Sequence, residues 1–499
     1  MALRPYPGFI GPSYTSESKI AAYDRTVNWY PEQIESGTGN TAARYVLYPT
    51  PGNFEIPSAS SALTTPGRGG WSLRDFGAYY IVGDTLYRLY PGTPAAVATG
   101  ISNISNAPVY FASNGDTGRQ LLIASDDTTY AYDLDSEVLT EVGTESAVSI
   151  GYVDGYGIRL DSVRSEISVS APFDFTIWNA LDVSQRNDAP DKWLRLLVNH
   201  KELWLFGSDT SSVWYNAGDE GVAGPFAPIP SVFIPYGIAA PHSAVVVDGS
   251  PIWLGGTPNG SCIVYKAEGY TPVRISTHAV ENAFREIFGA ALTVSNADAS
   301  TYQENGHIFY VLTFPANLDT DFAGATWVYD ATSGLWHERG VWNGLTFGCI
   351  DTIGNVQSNV QFTLSRTSGK VYLQSISLSV GTDGLGIVRL RRAPHINQAQ
   401  QRIRYRQFRA LMETGIGLGD VVSTDPAFDP QITLAWSNDG GQTFGSPIPM
   451  SAGKIGAYST MVDWFQLEQA QDRIFEVRCS APVSYRLIAA FLDYSVGPS

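Results

Sequence analysis

The 499-residue sequence predicts an all-β protein: a β-propeller of six or seven blades with one inserted helix, then a C-terminal β-sandwich. Three observations carry this reading. The first is composition: 49 Gly and 29 Pro stand beside 27 Tyr, 22 Phe and 12 Trp, and only 16% of residues are charged. Gly and Pro punctuate turns, while aromatic and β-branched side chains suit pleated surfaces. The second is a recurring unit, in which an apolar strand runs through a polar turn into a strand ending in Tyr or Trp. Its spacing is roughly 35–50 residues, the period of a propeller blade. Evenly spaced short strands also suit stacked sandwiches, but the repeated second strand favours the propeller. The third is a change of texture near residue 380, where the unit stops and arginines gather. The chain is too long for one core.

The elements follow in order. Residues 1–45, rich in Pro, Tyr, Ser and Gly, read as an extended arm. Phe9, Ile10, Tyr14, Trp29 and Tyr30 give it reason to lie along its own domain or a neighbour. "RYVLYPTPGNFEI" (44–56) opens regular structure with a Pro-Gly turn. The propeller is assigned to 46–380. Its units are "AYYIVGDTLYRLYPG" (78–92), "RQLLIASDDTTYAYDLDSEVLTEV" (119–142) and "KELWLFGSDTSSVWYNAGD" (201–219), with others at 250–276, 306–340 and 360–377. One segment departs from the pattern. In "THAVENAFREIFGAAL" (277–292), Ala279, Val280, Ala283, Phe284, Ile287 and Phe288 recur at helical spacing, which predicts an amphipathic helix packed on the propeller. The sandwich is assigned to 381–499.

Charge and cysteine usage narrow the function classes. The formal net charge of −17 argues against a non-specific nucleic-acid binder, which needs a basic face. Cys262, Cys349 and Cys479 are odd in number and far apart. They read as free buried thiols of a protein folded in a reducing cytoplasm. No apolar run has the length of a signal peptide or a membrane span. The six histidines show no metal-ligand spacing, and neither a nucleophile elbow nor a phosphate-cradling loop is present. No cofactor, metal site or catalytic residue is therefore assigned. Asp330, His337 and Glu338 cluster in "WVYDATSGLWHER" (327–339), but on one strand His337 and Glu338 point to opposite faces.

Two features of the C-terminal region stand out. Arg389, Arg391, Arg392, Arg402, Arg404, Arg406 and Arg409 put seven of the 31 Lys and Arg residues into 21 positions. Contact with DNA phosphates, internal pairing with Glu413 and other acids, or a protein–protein contact would each account for them. The last is favoured, as a subunit or adaptor interface. "WSNDGGQTF" (436–444) has the spacing of an Asp-box hairpin. Asp439 is expected to accept bonds from turn N–H groups, with Ser437, Gly441 and Thr443 completing the turn and Phe444 packing beside Trp436. Such hairpins occur in sialidase-type propellers and in many non-enzymes, so the motif alone reads as a folding device.

These stretches, with "RTVNWYPE" (25–32), "LYPTPG" (47–52), "GYTPVRISTHAVENA" (269–283), "TYQENGHIFYVLTFP" (301–315), "RRAPHI" (391–396) and "GKIGAY" (453–458), are together similar to the packaged-DNA stabilisation, or tail-hub, proteins of short-tailed bacteriophages. The resemblance runs in order along essentially the whole chain. It implies a non-enzymatic virion tail component, assembled in the host cytoplasm as a hexameric ring on the adaptor proteins below the portal. Such a ring extends the DNA channel, stabilises the packaged genome, touches DNA transiently at ejection, and holds a tail needle and tailspikes or fibres. The alternative is a glycan-binding or sialidase-like glycan-cleaving propeller. That reading predicts repeated Asp boxes, whereas one good box is present, outside the expected propeller.

Overall fold

One kind of tight turn recurs around the propeller. At Asp126–Asp127, Asp154–Gly155, His200–Lys201, Asp248–Gly249 and Asn305–Gly306 both residues have positive φ. Two-residue turns of this kind match the right-handed twist of the strands they join. Each connects neighbouring antiparallel strands of one blade. The computed structural model describes residues 3–34, 45–56, 65–73, 77–89, 95–143, 146–218, 224–256, 262–289, 294–317, 322–358 and 360–497. The "PNG" turn of the 250–276 unit and residues 290–292 of the helix prediction lie outside them.

Four-stranded antiparallel sheets form blades 1 to 5 at 67–99, 110–141, 149–185, 193–228 and 245–274. Four more strands at 298–339 occupy the sixth sector, and Thr352–Ser358, Val360–Ser365 and Val371–Ser375 the seventh. The first strand of each sector packs on that of the next, and the seventh on the first. The expected six or seven blades thus resolve as six free-standing four-stranded sheets, with a further four strands continuous with a larger sheet. Ring closure comes from the N-terminal side: Gly52–Glu55 pairs antiparallel with Val371–Ser375 and supplies the fourth strand of the last blade. Gly52 is required there, since a Cβ would lie 2.6 Å from the Leu378 carbonyl oxygen.

Apolar layers between successive blades hold the ring. Ile81, Leu121 and Tyr132 pack between blades 1 and 2, and Leu122, Ile150 and Phe175 between 2 and 3. Leu160 and Trp193 follow, then Phe206 and Trp253. Val82, Ile353 and Leu364 join the last blade to the first. Each such side chain contributes about 1.5–3 kcal/mol by leaving water. The predicted helix is present as His278–Gly289. Val280, Phe284 and Ile287 are buried against Leu254 of blade 5 and Leu312 of blade 6, and the Val280 N–H is capped by Thr277 Oγ1 at 3.3 Å.

The sandwich is built from both ends of the chain. One sheet runs Trp29–Gln33, Tyr45–Pro49, Leu487–Val496, Ile403–Met412, Val462–Phe465, with Arg4–Pro5 also paired to Leu487–Val496. The other extends blade 6: Leu335–Arg339 meets Tyr23–Val27, then Arg389–Arg392, Asp472–Cys479, Gln431–Ser437 and Ile448–Ser451. Phe9, Trp29, Leu47, Phe408, Trp464 and Phe475 share the core between them. The described part of the arm therefore lies along its own chain. Asn28 fastens the join: its Nδ2 donates to the Gly340 and Val388 carbonyls at 2.8 and 2.7 Å, and its Oδ1 accepts from the Gly340 N–H at 3.0 Å. Cys262 and Cys479 are buried free thiols; Cys349, expected to be buried, is a partly exposed free thiol.

Candidate assembly surface

The hairpin at 436–444 is built as its residue types dictate. Ser437 Oγ donates to Asp439 Oδ1 at 2.6 Å and accepts the Gly441 N–H at 2.9 Å. Asp439 accepts the N–H groups of Gln442 and Thr443 at 3.0 Å, and the Thr443 hydroxyl at 2.6 Å. These bonds, with Ser437 and Thr443 foremost, hold its carboxyl well below the usual carboxylate range. Gly441 has φ +88°, and a Cβ there would lie 2.5 Å from the Tyr23 ring, so the turn seats directly on the arm. Phe444 lies against the Arg392 guanidinium at 4.5 Å. Trp436, expected as its neighbour, instead packs on Phe475 and Arg473. Asp439→Ala is expected to lower the denaturant midpoint of the sandwich, with the loss greatest above the ordinary carboxylate pKa, where Asp439 is charged in both states. An unchanged midpoint at pH 7 would show the hairpin to be dispensable.

The arginine cluster divides in two. Arg389, Arg391 and Arg392 are buried, at 0%, 1% and 7% exposure, so these three do not form the interface the sequence suggested. Their strand is covered on both faces, by the sandwich core and by the arm. Arg391 donates to the carbonyls of Gly8, Phe9, Gly11 and Pro12 and to Thr26 Oγ1. Arg392 bonds Glu476 Oε2 through Nε and Nη2 at 3.0 and 2.7 Å, with the Tyr23 ring 4.0 Å away. Arg389 has only two long bonds to carbonyls, at 3.4 Å, and burial pushes its pKa down to about 10. Arg406 and Arg409 pair with Asp493 at 3.4 Å and Asp463 at 2.7 Å. Internal pairing with acids thus explains much of the cluster, though Glu413, the acid singled out, serves Arg486 instead. Arg402 and Arg404 alone are well exposed.

Density of charge in sequence concealed two further residues of the join. Glu338 accepts from Arg25 Nε at 3.1 Å and from Ser13 Oγ at 3.0 Å, tying blade 6 to the arm. Arg473, at 0% exposure, lies 4.4 Å from the Tyr405 ring and bonds Asn438 Oδ1 at 2.8 Å. Arg473 lies in a run of buried residues, Arg473–Val477, and Glu338 between two buried neighbours, so no alternation in the sequence marks either. His337 and Glu338 do face opposite ways: His337 is fully buried beside Phe309, and Asp330 is taken up by His307 Nδ1 at 2.7 Å. Among the described residues no three His, Cys, Asp or Glu side chains converge as metal ligands. No described helix is long and apolar enough to cross a membrane.

The outward face of the sandwich carries exposed apolar side chains as well. Leu411, Ile455, Tyr458 and Met461 are 42%, 61%, 76% and 68% exposed. Met461 and Leu411 flank the paired Ala410 and Val462, Tyr458 lies against Gly415, and Ile455 lies against Gly417 and Gly419.

A ring of blades joined to a sandwich through one continuous sheet, Asn28 and the Arg25–Glu338 pair defines a β-propeller protein with an appended β-sandwich. The chain belongs to the phage stabilisation family: the family model described as Bacteriophage P22 Gp10, beta-propeller, matches residues 33–363. It is accordingly a bacteriophage structural protein, a component of the virion. Among solved structures, PorZ, a surface component of the type-IX secretion system of Porphyromonas gingivalis, aligns at 11% identity and TM-score 0.34. That alignment covers 70% of this chain and 44% of PorZ, so the chain spans less than half of that protein. None of the curated proteins matches the chain.

Proposed function

We propose that the chain is a tail hub without catalytic activity. Copies form a hexameric ring under the portal and adaptor, extend the DNA channel, help retain the packaged genome, and anchor needle and spikes or fibres. The observation that carries this reading is the family match over 33–363. The exposed Arg402 and Arg404 and the apolar group around Tyr458 on the same sheet support it, since a ring subunit needs outward aromatic and arginine anchors. Assembly in the host cytoplasm belongs to the same proposal.

Electron microscopy of the purified chain, alone and mixed with its phage's adaptor, tests the reading. A ring that docks coaxially is expected; a persistent monomer that hydrolyses a sialoside would overturn it. The double substitution Arg402→Ser/Arg404→Ser should reduce adaptor-bound rings at least tenfold and leave the thermal midpoint of the monomer unchanged, because neither side chain is buried. Normal assembly by that variant would remove these arginines from the interface.

A further inference from the structure

The axial cavity of the propeller holds a cation with no carboxylate partner among the described residues. A cavity of about 190 Å³ lies on the propeller axis. All seven sectors line it, through Arg68, Tyr110, Ile150, Arg195, Ala244, Asp298 and Ile353 among others. It adjoins a wider mouth of about 550 Å³ bordered by Pro66, Ser105, His242, Asn296 and Arg366.

The charges around this space can be counted. Arg68 is 0% exposed; it faces Asp126 at 3.3 Å and gives its other N–H groups to the carbonyls of Gly83, Ser102 and Ala107 and to Ser125 Oγ. Asp298 and Arg366 form a two-pronged pair at 2.5 and 2.8 Å. Both pairs are neutral overall. Arg195 differs. No carboxylate lies within ion-pair distance of it among the described residues. Its Nη1 donates to Ser149 Oγ at 2.8 Å, its guanidinium lies 3.9 Å from the Tyr110 ring centre, and its Nε is buried without an acceptor. His242 stacks on the same tyrosine at 4.6 Å and 14°. Burial, and then the Arg195 charge, hold that histidine neutral, with a pKa of about 3. Arg195 is therefore a cation on the axis with no carboxylate partner among the described residues, in a chain whose net charge is −17.

Arg195 is half-buried, and a partly desolvated cation is stabilised when a counter-charge completes it. A guanidinium with one nitrogen engaged by a hydroxyl retains donors on its other edge, the arrangement that takes two oxygens of one planar or tetrahedral anion. Tyr110 fixes the plane of the guanidinium, and neutral His242 offers a ring nitrogen 3.5 Å from the Tyr110 hydroxyl as a second polar wall. We propose that the axial cavity is a binding site for a small oxyanion, a carboxylate or phosphate, held by Arg195 with Ser149, Tyr110 and His242 shaping the pocket. A small free oxyanion fits a cavity of this volume. The site is independent of the tail-hub reading, because it lies inside one subunit.

Titration calorimetry and thermal-shift measurements on the full chain at low ionic strength, with inorganic phosphate in one arm and succinate in the other, test this. Saturable one-to-one binding of at least one probe is expected, with a rise in melting temperature; the better probe identifies the oxyanion. Arg195→Met should weaken it at least tenfold. Arg195→Lys, which keeps the charge and loses the fork, serves if the Met variant does not fold, and should weaken it by several-fold. Wild-type protein that binds neither probe, or Arg195 variants that bind as wild type does, would overturn the proposal. Arg285→Ser, on the exposed side of the helix His278–Gly289, should leave the affinity unchanged; a matching loss there would show the effect to be general electrostatics and would also overturn it.

Discussion

Arg391→Ala is expected to destabilise the sandwich by about 3–5 kcal/mol and to release the N-terminal arm, the cost of removing one side of a buried charged network. Arg391 is 1% exposed, and its nitrogens are distributed over the arm. Nε donates to the Phe9 carbonyl, Nη2 to that of Gly8 at 2.9 Å, and Nη1 to those of Gly11 and Pro12 at 3.3 and 3.2 Å and to Thr26 Oγ1 at 2.9 Å. Asp24 is the nearest counter-charge, at 3.5 Å. Several of these carbonyls would be left in the interior with no donor. Tyr6 and Phe9 remain as apolar anchors, worth about 2 kcal/mol each. They cannot offset the stranded carbonyls, because they stay buried only while that backbone stays in place. Trypsin should then cut after Arg25, a half-buried site on a paired strand that its bond to Glu338 holds in the folded arm. Arg391→Lys should fall between, keeping the charge with fewer fixed donors. An arm that resists trypsin in the Ala variant, with a midpoint within ~1 kcal/mol of wild type, would show that aromatic packing alone secures it.

The same residue shows where sequence reading stops. The blades were legible because hairpin chemistry is local: Asp126–Asp127 carries its own turn signal, and the flanking strands alternate. Blade 3 was not picked out. Its central strand, Tyr156–Asp161, ends in Arg-Leu-Asp and lacks the terminal aromatic that marked the others, although Asp154–Gly155 makes the same turn. Arginine density suggested a surface, yet on the strand Arg389–Arg392 all four residues are buried. Nothing local to those residues announces that segments some 380 positions away, such as Gly8 to Pro12, will cover them. Long-range pairing of both termini decides their burial. The Asp box reads correctly from sequence because Ser437, Asp439 and Thr443 bond one another; only the ring of Phe444, which reaches beyond the hairpin, was misplaced.

His337→Leu is expected to flatten the acid limb of the stability profile. His337 is 0% exposed, with neither ring nitrogen bonded, among Tyr30, Phe309 and Val328. Burial is the largest cause of its folded pKa of about 3; Asp330 opposes it, while Arg339 and His307 reinforce it. The unfolded value is about 6.5. Between the two, the unfolded chain binds a proton that the folded chain refuses, so stability is full above about pH 6.5 and falls by ~1.4 kcal/mol per pH unit below it. His242, also at about 3, contributes a limb of the same sign, smaller because that ring is partly exposed. His307 does not mask this slope. Its pKa is raised by the bond to Asp330, so its contribution is fully present below about 6.5 and is lost only as pH rises through its folded value. The lowered carboxylates, Asp330 among them, act at lower pH still. Urea midpoints between pH 6.5 and 4.5 should therefore slope about half as steeply or less in His337→Leu as in wild type. At pH 7 the variant should equal or exceed wild type by ~1 kcal/mol, since two buried polar atoms without partners are removed at little change in volume. A variant with the wild-type slope would show that His337 takes up its proton in the folded state, which requires a bonding partner that the apolar surroundings of Phe309 and Val328 do not supply.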